Sequence, residues 1–390
     1  MKTSLLAAAL SGTFACAGHA QSSVVLYGVV DAPIEYVNHL GAGAPTVNTT
    51  TGAITRQPGG DRVSLQTSGG WGGSRWGLRG TEDLGNGLQS LFVLESGFGL
   101  DDGKSQQGGR LFGRQAYVGV RKSDLGTLTF GRQYSTMFEA FGNFAPLLYA
   151  PMYEPIVAQI GSNFRQDNMV KYAGKFGPLG VGAHWSFGTG VGAIAVTPLA
   201  GGGAGETPGQ FRDNTAYGAS LSYTAGRLGA AVAYDQWNPA VTVGNTGAVK
   251  KAGAALSYII GKTKVMGGYR WGDAKDSSGS SVVRDDYYWI GVNFPATASL
   301  DLNLAYYYDN LKTLRLGQNA PATNPANPWQ VTLLTNYRLS KRTDLYLMMA
   351  YVKNSGLNFD TAATGFGAGY FLTPGSDSQF GTAIGIRHVF

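Results

Sequence analysis

The stretch "SRWGLRG" sets Arg75 and Arg79 four residues apart, with Trp76 and Leu78 between them. In an extended chain successive side chains point to opposite faces, so the apolar pair takes one face and both guanidinium groups take the other. "LFVLESG" repeats the arrangement: Phe92 and Leu94 share one face, and Glu95 turns to the other, close enough in strand order to pair with the arginines. Fixed charges of both signs on one polar face break no bonds. They set up a local field that sorts ions and orients dipolar solutes. Bond-breaking chemistry, by contrast, lacks its parts. Beyond residue 20 the histidines are His39, His184 and His388, with no His-x-x-x-His pair and no glycine-framed serine. His184, between Ala183 and Trp185, faces the polar side, where a serine or aspartate would have to partner it, and no second member stands at a meaningful spacing. "GGWGG" reads as a loop before a strand, without the following helix that a phosphate cradle needs. No cofactor and no metal site is implied.

The N-terminal "MKTSLLAAALSGTFACAGHA" has a basic Lys2, an apolar run from Leu5 to Leu10 and a small-x-Ala site at Gly18-His19-Ala20. That is the pattern of a signal peptide over residues 1–20, leaving a mature chain 21–390 that starts at Gln21. The apolar run is far shorter than the ~20 residues a spanning helix needs. Cys16 is the only cysteine and its preceding residues match a lipid-attachment box poorly, so the mature chain has neither disulfides nor thiolate metal ligands. The full chain carries +6, and the mature form 29 basic against 24 acidic residues. That excess suits anions, but there is no dense basic run for nucleic acid.

These charges need a scaffold, and the composition describes one. The chain has 59 glycines, 21 tyrosines and 18 phenylalanines, a load that disfavours helices and suits strands joined by many turns. Period-two alternation recurs. Leu300, Leu302, Leu304, Tyr306 and Tyr308 oppose Asp301, Asn303, Ala305 and Tyr307, and Trp329, Val331, Leu333, Tyr337 and Leu339 oppose Gln330, Thr332, Asn336 and Arg338. A soluble sandwich alternates too, but it has no reason to place aromatic rings at the ends of its apolar faces. Rings at headgroup depth are what a membrane barrel requires, and only helices and closed barrels satisfy their backbone in lipid.

The alternation predicts strands over 23–32, 74–82, 88–97, 110–122, 126–135, 168–175, 180–187, 214–225, 228–236, 250–260, 263–273, 284–294, 298–310, 328–339, 343–353 and 380–390. Tight turns such as "DLGNG", "SDLG" and "AGRLG" alternate with long segments such as 33–73, 136–167, 188–213 and 354–379. The expected fold is therefore all-β: a 16-stranded antiparallel transmembrane barrel with short periplasmic turns and long extracellular loops. The closing "GTAIGIRHVF" supplies the last strand, with Ile384 and Ile386 toward lipid, Arg387 toward water and Phe390 at the rim. It pairs with "SVVLYGVVD" to close the barrel.

The segments "SVVLYGVVDAPIEY", "SRWGLRGTEDLGNGLQSLFVLESGF", "RLFGRQAYVGVRKSDLGTLTFGRQYS", "RQDNMVKY" and "GIRHVF" resemble, in order, the Gram-negative general porins of the neisserial and betaproteobacterial type. That resemblance implies a trimeric barrel in the outer membrane that passes ions and small hydrophilic solutes by passive diffusion, surrounded by lipid and lipopolysaccharide. It also implies insertion by the barrel-assembly machinery, with Phe390 as part of the signal. It further implies that the third long loop, 136–167, folds inward to narrow the lumen, the alternative being that it stays outside. Glu139 and Glu154 are then candidates for an acidic side, with Glu95, although Glu139 also reads as an exposed loop acid. The basic wall comprises Arg75 and Arg79, to which the family motifs add Arg165 from "NFRQDN" and Arg114 from "FGRQAYV". For Arg114 parity disagrees, since Ala116, Val118 and Val120 on the lipid face turn it outward; a bulge near 113–115 would reconcile the two. Weak anion preference is expected. A barrel with a non-transport role, as hydrolase or adhesin, is the alternative.

Overall fold

Alternating side chains build the strands, and their register closes them on themselves. The computed structural model describes residues 23–191, 198–199, 204–361 and 369–390; the expected signal peptide, residues 1–20, and the mature start at Gln21 lie outside them. Strand β1 is Ser23–Gly41, and β2 comes in two pieces, Gly59–Leu65 and Arg75–Gly85. There follow β3 Leu88–Gly97, β4 Gln115–Lys122, β5 Gly126–Tyr134, β6 Arg165–Phe176, β7 Leu179–Ser186, β8 Ala216–Ala225 and β9 Leu228–Trp237. The second half holds β10 Ala248–Ile260, β11 Thr263–Lys275, β12 Ser281–Pro295, β13 Leu300–Leu314, β14 Trp329–Arg338, β15 Thr343–Lys353 and β16 Ser378–Val389. Neighbours in sequence pair antiparallel, and β1 meets β16 from Val29↔Val389 to Val37↔Gly381, so the sheet is a closed 16-stranded barrel.

The exterior carries the expected pattern. Tyr269, Tyr288, Tyr308 and Trp329 face one another across four successive strands near the long-loop end. Phe176, Tyr223, Tyr258, Phe294, Tyr337 and Phe390 are exposed toward the short-turn end, and Val232, Ile290, Leu304, Leu347 and Ile384 are exposed between the two rims. An apolar band between aromatic rims is a lipid-facing surface. The buried core lies inside the barrel instead. Met137, Phe141, Phe144, Leu147, Met152 and Tyr153 from the loop between β5 and β6 pack on inward-facing Tyr287, Trp289, Tyr307, Leu334 and Met348.

Two expectations need correction. β1 runs to Gly41 rather than ending at 32, and its upper half is covered by Gly59–Leu65, so the segment 33–73 is about half strand rather than a loop throughout. Between the two pieces of β2, residues 66–74 leave the sheet for the lumen. Pro33 explains where: its carbonyl accepts from the Gln66 N–H, but it has no N–H to return on that edge, so the ladder stops there. The strand expected at 110–122 begins only at Gln115.

Candidate functional site

The loop between β5 and β6, residues 135–164, folds into the lumen as two short helices, α1 Thr136–Phe141 and α2 Ile156–Ile160. Ser135 caps α1, its Oγ accepting from the Phe138 N–H at 3.3 Å. Inward-facing polar side chains of the wall then pin the loop along its length. His184 Nδ1 meets Thr136 Oγ1 at 3.1 Å, and Lys171 Nζ donates to Glu139 Oε1 at 2.6 Å. Trp289 Nε1 donates to the Phe144 carbonyl and Asn293 Nδ2 to the Pro146 carbonyl, each at 2.8 Å. Gln330 Nε2 and Thr332 Oγ1 both donate to the Tyr153 carbonyl at 2.8 Å, while Tyr153 Oη donates to buried Glu35 at 2.7 Å. Backbone that leaves regular structure inside a barrel must find partners, and here the wall supplies them.

Opposite this loop the detour 66–74 enters the lumen, held by Asp31, whose carboxylate accepts from the N–H groups of Gly70 at 3.2 Å and Gly72 at 2.7 Å. Its glycines let arginines crowd the backbone. A Cβ at Gly73 would stand 3.3 Å from Arg114 Nη1, and one at Gly72 would stand 3.4 Å from Arg387 Nε and 3.9 Å from Arg75 Nη1. Loop and detour together enclose a chamber of about 810 Å³ lined by Arg75, Arg114, Arg165 and Arg387.

Each guanidinium is held differently. Arg114 Nε donates to Glu95 at 2.8 Å and its Nη2 to Tyr134 Oη at 3.0 Å. Arg75 Nε lies 3.6 Å from the other Glu95 oxygen. Arg387 pairs with Asp344 at 3.2 Å and stacks 4.4 Å from the Trp71 ring centroid. Arg165 makes no ion pair among the described residues; it lies 5.1 Å and 4.7 Å from the Tyr134 and Phe164 ring centroids. Tyr134 in turn stacks on Phe138 at 4.2 Å and Phe138 on Tyr149 at 4.5 Å, so a column of rings backs that charge.

Of the residues expected on a basic wall, then, Arg75, Arg114 and Arg165 converge on the chamber. Arg79 does not: it lies four residues nearer the short-turn end, exposed, 5.3 Å above the Tyr27 ring centroid. Arg114 turns inward because it precedes β4 and donates its N–H to the Glu95 carbonyl at 3.1 Å, while Gln115 is already the ladder partner of Glu95. Two residues against one is a bulge arrangement. The acidic side needs more correction. Glu95 is buried inside the arginine cluster rather than across from it, because its two oxygens are where Arg75 and Arg114 meet. Glu139 is drawn to Lys171 on the wall and does not line the chamber. Glu154 does line it, but is buried and committed to the N–H groups of Leu147 at 3.3 Å and Ala150 at 2.9 Å and to Tyr307 Oη at 3.1 Å. Burial pushes its carboxyl up to about 7 against the pull of those donors. Arg387 is turned toward water by the parity that sends Ile384 and Ile386 to lipid, but it is absent from the basic wall expected from sequence.

A closed barrel with a lipid-facing exterior and a lumen narrowed to a charged chamber defines a membrane channel. Residues 5–357 match the family described as Gram-negative porin, and the chain belongs to it. It is 32% identical to an outer membrane porin protein of Bordetella pertussis, over 95% of this chain and 99% of that one. It is 28% identical to outer membrane porin protein 32 of Delftia acidovorans over the full length of both. Its fold is similar to that of an anion-selective porin from Comamonas acidovorans, with a TM-score of 0.72, 25% identity, and coverage of 95% of this chain and 100% of that one. The protein is accordingly an outer-membrane porin.

Proposed function

We propose that this porin passes ions and small hydrophilic solutes passively and prefers anions, with Arg75, Arg114, Arg165 and Arg387 as the selecting wall. One observation carries the reading: four guanidinium groups share a chamber whose only lining carboxylates among the described residues are Glu154 and Asp360, both buried and engaged in hydrogen bonds. A wall of fixed charge raises the local concentration of the opposite ion without binding it tightly. The anion-selective relative supports the same sign. The working unit in this reading is a homotrimer in lipid and lipopolysaccharide, exported through a cleaved leader 1–20 and inserted by the barrel-assembly machinery.

Planar bilayers in a salt gradient test it. Purified protein should open in steps of three, with a reversal potential on the chloride side. A unit charge about 8 Å away through water draws chloride in by about 0.5 kcal/mol and holds potassium off by as much, so Arg165→Gln should lower the chloride-to-potassium permeability ratio roughly fivefold, and Arg75→Glu further. A wild-type reversal potential on the potassium side would overturn the assignment.

A further inference from the structure

The chamber is two-sided in a way that anion selection alone does not explain. Its arginines come from the barrel wall, but the inward loop presents mainly carbon: Leu148, Tyr149, Pro151, Ile156 and Val157. Leu148 is the telling residue. It is 62% exposed although it lies inside the lumen, and both it and Tyr149 have φ 60°, a conformation that side chains other than glycine and asparagine avoid. An apolar side chain held in a strained backbone and left in contact with pore water lowers stability on two counts, and such a residue points to a use at the site. Trp71 adds an aromatic face beside Arg387 from the detour.

Resting on the anion-preferring reading above, we propose that the chamber favours organic carboxylates with a planar apolar body, aromatic acids above all, over small inorganic or acetate-like anions. The carboxylate meets the guanidinium groups, whose forked donors match its geometry. The ring lies along Leu148, Ile156 and Val157, where leaving water gains what the wall on the arginine side cannot supply. Arg165 is the guanidinium best placed to receive the carboxylate. Arg75 and Arg114 share Glu95, and Arg387 holds Asp344, whereas among the described residues Arg165 rests only on ring faces and a phenol oxygen, Tyr134 Oη at 3.4 Å.

The test is block of the chloride current through wild-type trimers by benzoate, acetate and neutral benzyl alcohol, at a pH well above the acids' pKa values. Benzoate should half-block at about fourfold lower concentration than acetate, the factor expected from withdrawing roughly one methylene's worth of apolar surface from water. Benzyl alcohol should not block. Leu148→Asn keeps a residue that tolerates the positive φ and removes the apolar contact, and Val157→Thr changes polarity at constant shape. Each should move the benzoate value toward that of acetate. Equal block by benzoate and acetate in the wild type overturns the inference, as does block by benzyl alcohol equal to that by benzoate. Two folded variants that leave the benzoate value unmoved also overturn it. The reversal potential separates the two readings: a chloride-preferring pore that ranks acetate with benzoate refutes only the substrate class, whereas a potassium-preferring pore refutes the charge reading and this inference with it.

Discussion

At the scale of single residues, Glu154 decides how the chamber responds to pH. Its carboxyl is raised from an ordinary 4.5 to about 7, and the groups facing it, Tyr149, Tyr287 and Tyr307, are phenols that carry no charge in that range. The folded loop therefore holds a proton between 4.5 and about 7 that the unfolded chain has released. The contribution to stability is fully present below 4.5, declines as pH rises to about 7, and is constant above it. Protonation also removes a negative charge from the lining of the chamber. Anion preference should rise as pH falls through about 7, and Glu154→Gln should flatten that profile; a wild-type reversal potential independent of pH would contradict this. The basic residues were legible to differing degrees for a physical reason. Arg75 opens a strand piece but is already in the ladder, paired with Val29 and Gly97, so parity orients it. Arg114 lies one residue outside a strand, where the bulge at Glu95 overrides parity. The burial of Glu95 and Glu154 depends on which long-range partners reach them, and spacing along the chain does not record that.

At the scale of elements, the inward loop behaves as a strut fastened at many points rather than as a lid. One fastening is doubled at the Tyr153 carbonyl, which receives Gln330 and Thr332, while Gln330 Oε1 accepts from the Asn358 N–H at 2.8 Å. A buried carbonyl left without its donors costs about 1–3 kcal/mol. The double variant Gln330→Leu with Thr332→Val should free this stretch without touching the lipid face. The expected result is higher and noisier single-channel conductance with the thermal transition of the barrel nearly unchanged. Conductance equal to wild type would show that other fastenings suffice. Strands were readable because lipid on one side and water on the other force strict alternation, as in β13 and β14. The detour at 66–74 was not, because what ends the ladder is a missing N–H on one edge of Pro33, opposite a strand piece that a run of glycine, threonine and asparagine conceals.

At the scale of the whole molecule, closure depends on how two distant segments meet. Gly28 and Phe390 exchange both backbone hydrogen bonds, Gly28 N–H to the Phe390 carbonyl at 3.0 Å and Phe390 N–H to the Gly28 carbonyl at 3.1 Å. The Phe390 ring lies directly over Gly28, where a Cβ would come within 2.3 Å of Cζ and 2.7 Å of the Arg75 carbonyl oxygen. Glycine is thus required on one side of the seam and a ring covers it on the other. An unpaired edge invites wrong partners while the barrel is forming, so weakening this contact acts first on assembly. Gly28→Val, which expels the ring, and Phe390→Ala, which removes it, should each lower the yield of folded, heat-resistant barrels several-fold. Channels that assemble from Phe390→Ala should keep wild-type conductance and reversal potential, because Arg75, Arg114, Arg165 and Arg387 line the chamber and Phe390 does not. Phe390→Tyr should assemble normally. If Phe390→Ala assembles as well as wild type, or if its assembled channels lose their ion preference, the seam does not have the role assigned to it.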